Sequence, residues 1–271
     1  MVSGYECAAM LREEWNTLST LCGTLTDEEW LADTDCPGWT VKDQLSHLIG
    51  VERWLLGHPP IDHEAPSADH VKNHLGERNE AEVDHRRKHD PQEVLAEYRA
   101  VTRERARALS RMTDTDFNKR TWTPTGEGTV GDMMSFRIVD TWVHEQDIRR
   151  ATGKRGHLRG LIPEHVFERL FLGMPKVVGK NAAAPEGSVV LWHIDGVGNG
   201  QRAIRVEDGR AKVLPSITPE VDVRLVMDFQ TFICLSCGRW DPGRTMRTGL
   251  VEIEGARELG TRVVNAMNVL F

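Results

Sequence analysis

The sequence predicts a helical bundle followed by a smaller α+β module, within a chain of 271 residues. Three observations indicate this order. Apolar residues recur at intervals of three and four through most of the stretch before Gly153, which is the helical period. Beyond Gly153, short extended runs replace the long helical ones. Two of those runs flank Asp208-Gly209, a pair typical of a tight β-hairpin. We therefore expect two domains, residues 1–175 and 176–271.

Four long amphipathic segments make up the predicted bundle. They occupy residues 5–22, 41–57, 91–112 and 130–151. The second segment follows a turn that begins at Cys36, with Thr40 as its N-cap, and it ends at Gly57. Residues 58–90, which are polar and hold six histidines, are predicted to mix helix and loop. Residues 123–129, rich in glycine and threonine, are predicted to form a loop.

The second module is predicted to combine strands with helices. A helix over 163–174 precedes it. Extended runs follow at 188–194, 203–207, 210–214, 221–227 and 249–253. Asp228 is suited to cap a helix, and a last helix is predicted over 256–270. Strands and helices that are interspersed in this way indicate an α+β fold.

Composition excludes several classes of protein. Asp and Glu number 41 against 34 Lys and Arg, a net charge of −7, so a basic face for nucleic acid is not expected. The sequence contains no run of about 18 apolar residues, so it predicts no membrane span. The N-terminal residues include Glu6, Glu13 and Glu14, unlike a signal peptide. Five cysteines, an odd number, fit reduced thiols. We expect a cytoplasmic protein, and nothing in the sequence indicates its oligomeric state.

One face of the segment 130–151 carries ionisable side chains between apolar ones. Its members are Met133, Phe136, Asp140, His144, Asp147 and Ala151. Ionisable groups in a buried stripe must be paired or must bind a metal, because burial of a bare charge is costly. Asp140 and His144 are one helical turn apart and can converge on one ion, as in metal sites of helical bundles. The same spacing also suits a simple hydrogen-bonded pair, so it leaves both interpretations open.

His47 is the predicted third ligand. With Val51 and Trp54 it forms a stripe beside the main apolar face of its helix, as expected for a helix that contacts two neighbours. Two imidazole nitrogens and one carboxylate suit zinc or another divalent first-row ion, and they leave one coordination position open. This ligand set does not distinguish zinc from nickel, iron or manganese.

Two motifs resemble those of a known family. Cys36-Pro-Gly-Trp-Thr-Val-Lys-Asp-Gln-Leu-Ser-His47-Leu is similar to the CPGW(T/S)VxDxxxHL signature of mycothiol-dependent maleylpyruvate isomerase-like proteins. Asp140-Thr-Trp-Val-His144-Glu-Gln-Asp147-Ile-Arg-Arg-Ala-Thr-Gly153 is similar to their second signature, E/D-x-x-x-H-x-x-D-(I/L)-x-x-A-x-G. The C-terminal strands and Gly238-Arg239 resemble the sterol-carrier-protein-like domain that these proteins often append. The resemblance implies a four-helix DinB-like metal-binding bundle followed by that α+β domain.

The resemblance also implies a metal and a thiol. His47, Asp140 and His144 match the family's metal ligands, with zinc as the expected ion and mycothiol as cofactor or co-substrate. The metal-bound thiolate would attack a small electrophilic substrate, in an isomerase or S-transferase reaction. The acidic ligand of the isomerase itself is a glutamate, and Asp140 is one methylene shorter. That departure bears more on the isomerase assignment than on the metal site.

Two further residues are predicted to take part in catalysis. Asp147 would orient a metal ligand or bind a polar group of the substrate, or else it forms a salt bridge with Arg150. Arg239 would hold a carboxylate of the substrate or of the thiol, or else it forms a structural ion pair.

Two alternatives to a thiol-using enzyme remain open on the sequence. One is a metal-dependent hydrolase that uses a metal-bound water and no thiol. The other is a non-catalytic protein that binds a small molecule between the same domains. The identity of the electrophile cannot be read from the residues.

Overall fold

The chain divides into two compact units, Met1–Gly156 and His157–Phe271. This computed structural model describes residues 2–197, 200–217 and 220–269. The division lies close to Gly153, and the helix that we placed before residue 175 is part of the second unit. Within the three described ranges, no helix combines the length and the apolar character that a bilayer span requires.

The first unit consists of helices and one short hairpin. Its elements are α1 (Gly4–Cys22), α2 (Asp27–Trp30), α3 (Val41–Leu55), α4 (His74–Arg87), α5 (Pro91–Leu109), α6 (Asp114–Phe117), β1 (Arg120–Thr123), β2 (Gly126–Thr129) and α7 (Val130–Ala151). The long helices α1, α3, α5 and α7 pack against one another, which confirms the predicted helical domain. Helix α4 covers α3, so the polar segment supplies a helix of its own.

Capping residues fix where α3 and α7 begin. The Thr40 hydroxyl accepts from the Asp43 amide, and the Asp43 carboxylate accepts from the Thr40 amide. Thr129 and Asp132 form the same reciprocal pair at the start of α7. Such capping boxes satisfy amides that the first helical turn leaves free. They place His47 about two turns into α3, where α3 packs against α7.

The prediction of a loop over 123–129 is wrong. Strands β1 and β2 pair antiparallel there, with Thr123 opposite Gly126. The Thr123 hydroxyl donates to the carbonyl of Gly126 at 2.8 Å and closes the turn. Pro124 and the glycines hide the alternation of apolar and polar residues by which a strand is recognised.

The second unit is built around a five-stranded mixed sheet. Its elements are α8 (Leu161–Phe171), α9 (Met174–Lys176), a π-helical turn (Val177–Asn181), β3 (Val189–Asp195), β4 (Gln201–Glu207), β5 (Arg210–Val213), β6 (Val223–Asp228), α10 (Phe229–Ser236), α11 (Pro242–Arg247), β7 (Val251–Gly255) and α12 (Arg257–Asn265). The strand order is β5-β4-β3-β6-β7, and only β3 and β6 are parallel. The predicted α+β fold is therefore confirmed, although α11 was not predicted and Leu270, at the end of the last predicted helix, lies outside the described residues.

Aromatic side chains fill the core of the second unit. Phe171 of α8 packs edge-on against Trp192 of β3 at 5.4 Å between ring centroids, and Phe167 packs against Phe232 of α10 at 5.3 Å. Strand β3 is apolar along most of its length because it lies at the centre of the sheet. At the predicted hairpin, Asp208 and Gly209 both have positive φ, as the tight turn requires.

Candidate metal centre

The three side chains predicted as metal ligands lie together between α3 and α7. Their potential ligand atoms all fall within 4.8 Å of one another. His47 Nε2 is 3.3 Å from Asp140 Oδ2, and His144 Nε2 is 3.6 Å from Asp140 Oδ1. Two ligand atoms that are each about 2.0–2.1 Å from a tetrahedral ion are roughly 3.3 Å apart. The two atoms of each of these pairs are therefore about as far apart as two ligands of a small divalent ion.

Burial differs between the two imidazoles and the carboxylate of this triad. The side chains of His47 and His144 are 6% and 7% exposed, whereas that of Asp140 is 35% exposed, so solvent reaches the triad at the carboxylate. Burial lowers the pKa of His47 to about 4. His47 is therefore neutral near pH 7, which is the form that binds a metal.

Gln44 orients the imidazole of His144. Its Oε1 contacts His144 Nδ1, and its Nε2 donates to the hydroxyl of Thr34 at 2.6 Å. An acceptor on Nδ1 keeps the proton there and leaves the lone pair of Nε2 facing Asp140. Sequence reasoning missed Gln44, although its place one turn before His47 on the same helix was a usable signal.

Trp39 packs against both imidazoles. Its ring centroid is 5.1 Å from that of His47 and 5.9 Å from that of His144. The other ring nitrogen of His47, Nδ1, is buried and has no hydrogen-bond partner in the part of the chain that the structure describes. The ring of His47 is thus held by its contact with Asp140 and by packing against Trp39, without a hydrogen bond at Nδ1 among the described residues.

A buried carboxylate of α4 fixes Trp39 in turn. Glu80 Oε2 accepts from the indole nitrogen of Trp39 and contacts His70 Nε2, each at 2.8 Å, and Oε1 pairs with Arg87 at 2.8 Å. Gly38, beside Trp39, has a φ of 77°, and a Cβ there would lie 2.5 Å from His70 Nδ1. Gly38 and Trp39 of the first motif therefore both contact residues 58–90, Gly38 at His70 and Trp39 at Glu80.

Asp147 makes both contacts that the sequence suggested. Its Oδ2 lies 3.5 Å from His144 Nδ1, and its Oδ1 accepts from Arg150 Nη2. Arg150 also donates from Nε to Asp35 at 2.7 Å. Asp147 is completely buried, and its salt bridge with Arg150 holds its carboxylate beside His144. Its predicted part in catalysis stays a prediction.

A row of buried charges leads away from Asp140, and sequence reasoning missed it. Arg137 Nη1 donates to Asp140 Oδ2, and Arg137 Nε donates to Glu52 Oε1 at 2.9 Å. Glu52 Oε2 accepts from Arg105 at 3.3 Å. Desolvation acts to raise the pKa of Asp140, but the charge of Arg137 and the hydrogen bonds from His144 and His47 hold it well below its usual range.

Arg239 lies in the second unit, just after α10. Its backbone amide donates to the carbonyl of Cys234 at 2.7 Å, and its Nη1 donates to the carbonyl of Cys237 at 3.3 Å. These contacts fix the end of α10. The predicted role of Arg239 in binding a carboxylate stays a prediction.

Comparison with known proteins assigns the family. Residues 11–149 match the mycothiol maleylpyruvate isomerase N-terminal domain, which is about half of the chain. The chain belongs to this family. Residues 168–268 match the SCP-2 sterol transfer family. Membership in the mycothiol maleylpyruvate isomerase family confirms the resemblance carried by the two motifs, and the second match confirms the sterol-carrier-like module.

Individual relatives are distant. Two uncharacterized proteins of Mycobacterium tuberculosis, from strains CDC 1551 / Oshkosh and ATCC 25618 / H37Rv, are 29% identical over 149 residues. The match covers 54% of this chain, which spans only 56% of each relative's length. The crystal structure of the mycothiol-dependent maleylpyruvate isomerase is similar over 94% of this chain and 96% of that chain, with a TM-score of 0.56 and 14% identity. A mutant of that isomerase is 15% identical with the same TM-score. At this identity the likeness shows the fold.

Proposed function

We propose that His47, Asp140 and His144 bind a divalent metal ion, zinc in the first instance, and that the protein is a metal-dependent enzyme that uses a low-molecular-weight thiol. The thiol is mycothiol, and the reaction is an isomerisation or an S-transfer on a small electrophile. The observation that carries this proposal is the convergence of two imidazoles and one carboxylate, whose potential ligand atoms lie within 4.8 Å of one another. The family supports it, because a solved member is described as mycothiol-dependent.

The residues around the triad supply its shape and its access. Gln44 holds His144 with Nε2 available, and Trp39 covers both imidazoles on the side of the Cys36-Trp39 turn. The exposed edge of Asp140 leaves a route for a ligand. A divalent ion in this place would supply Lewis acidity, which favours the thiolate over the thiol near neutral pH.

Two residues complete the proposal. Asp147, held by Arg150 and 3.5 Å from His144 Nδ1, orients that ligand or binds a polar group of the substrate. Arg239 binds a carboxylate of the substrate or of the thiol, which suits the paired donors of a guanidinium.

Metal analysis of the purified protein tests the metal site. Wild-type protein should carry stoichiometric metal, and His144→Ala should bind it at least about 100-fold more weakly because a ligand is lost. His63→Ala is the matched control, since His63 contacts Asp84 at 2.8 Å and lies outside the triad. Undiminished metal in the His144→Ala variant would contradict the proposal.

Calorimetry with mycothiol tests the thiol. We expect heat of binding with the metal-loaded protein and none after the metal has been removed by a chelator. If the metal-loaded protein bound no mycothiol, the thiol-using enzyme would be wrong, and the hydrolase and the non-catalytic binding protein would be favoured.

A further inference from the structure

Arg137 has a buried donor that the proposed metal site does not use. Its side chain is 5% exposed, with Nη1 bound to Asp140 and Nε bound to Glu52. The third nitrogen, Nη2, is buried and has no hydrogen-bond partner among the described residues. An unsatisfied donor of a buried charged group is costly. A ligand that brings an acceptor to this atom would remove that cost.

The charges near Arg137 favour an anion as that acceptor. A divalent ion on the triad is half neutralised by Asp140, and the two imidazoles are neutral as ligands. The charge of Arg137 adds to this excess, because Glu52, its other partner, is shared with Arg105. Positive charge that accumulates in a partly buried place lowers the free energy of a bound anion far more than that of a neutral ligand.

We propose that Arg137 is an anion-binding residue of the metal centre. Its charge and its free Nη2 bind a negatively charged group of a small ligand at the triad, and so select an anionic ligand over a neutral one. The partly exposed carboxylate of Asp140, which Arg137 contacts directly, marks where such a group can enter. This inference rests on the proposed metal site and adds a specificity residue to it.

The test uses cobalt in place of the native ion and two probes, thiocyanate as an anion and imidazole as a neutral ligand. Binding is followed by the visible spectrum of the cobalt protein. Arg137→Met should weaken thiocyanate binding by about 10- to 100-fold and change imidazole binding by less than about threefold. Arg137→Lys, which keeps the charge, should restore most of the thiocyanate affinity. Arg105→Met is the matched control for lost charge, because it removes a charge on the far side of Glu52 and no contact with Asp140. Its thiocyanate affinity should therefore fall clearly less than that of Arg137→Met.

Two outcomes would overturn the role of Arg137. One is a thiocyanate affinity in Arg137→Met that equals that of Arg105→Met, and the other is an equal loss for both probes. Arg137→Met leaves Glu52 paired with Arg105, so it strands no buried carboxylate, and circular dichroism should show that the variant folds like the wild type. If the wild type took up no cobalt in a His47-dependent way, the metal site itself and this inference would both be wrong. If the wild type took up cobalt but Arg137→Met bound thiocyanate as tightly as the wild type does, only the inference about Arg137 would be wrong.

Discussion

Glu14 and Glu145 are two carboxyl groups that are completely buried where α1 packs against α7. Glu145 pairs with Arg149. Burial, and after it the negative charge of Glu145, raises the pKa of Glu14 well above its ordinary value. Glu14 therefore keeps its proton in the native protein at a pH where it is ionised in the unfolded chain.

This difference predicts how stability depends on pH. The contribution of Glu14 is complete below the ordinary pKa of a carboxyl and is lost as the pH rises towards the raised pKa, because the unfolded chain releases the proton first. Glu14→Gln should abolish it. As the pH rises, the free energy of unfolding of the wild type should fall relative to that of the variant by up to about 1.4 kcal/mol for each pH unit.

Urea unfolding at several pH values between about 5 and about 8 measures this difference. Glu13→Gln is the control, because Glu13 is the exposed neighbour on the same helix and should follow the wild type. Parallel curves for wild type and Glu14→Gln would refute the assignment of the proton to Glu14.

The helices that carry the triad show what a sequence specifies about an element. We predicted helices over 41–57 and 130–151, and the structure has Val41–Leu55 and Val130–Ala151. Helix caps and apolar periodicity depend on residues three or four positions apart, so they can be recognised in the sequence. The contacts between elements are not local, because Gln44 meets His144 across 100 positions and Glu52 meets Arg137 across 85. The pattern therefore indicated the ligands and missed the side chains that hold them.

Glycines at turns allow a test at the level of the sheet. Gly255, at the end of β7, has a φ of 84°, and a Cβ there would lie 2.2 Å from the carbonyl oxygen of Asp222. Gly209, between β4 and β5, has a φ of 69° and no atom within 4 Å of its Cβ position. Gly209→Ala should lower the free energy of unfolding by about 1 kcal/mol, which is the cost of the backbone conformation alone.

Gly255→Ala should cost at least about 2 kcal/mol more, because the backbone at Asp222, just before β6, would have to move as well. Chemical unfolding followed by circular dichroism compares the two variants. Equal losses would show that the close approach of Asp222 does not constrain this strand.

Because the chain folds into two compact units, the effect of the metal on each unit can be measured separately. A ligand that binds only the native state stabilises the unit that holds it, by about 2.7 kcal/mol when its concentration is 100 times Kd. Removal of the metal should therefore speed hydrogen exchange in α3 and α7 by up to about 100-fold and leave β3 and β6 unchanged.

Hydrogen exchange with and without a chelator, read by mass spectrometry, measures this effect in the full chain. His47→Ala should not respond to the chelator, since it lacks a ligand. A uniform change across both units, or none in either, would contradict a metal site confined to the first unit.

The row of ion pairs that joins Arg105, Glu52, Arg137 and Asp140 also limits which substitutions this sequence can tolerate. Each carboxylate in the row offsets an arginine, so the loss of one member changes the charge balance of a row in which three of the four side chains are buried. A lone replacement at position 52 would leave Arg105 without its carboxylate partner and Arg137 with Asp140 alone. Tolerated change here must therefore arrive in concert, and these positions are expected to mutate as a group across descendants of this chain.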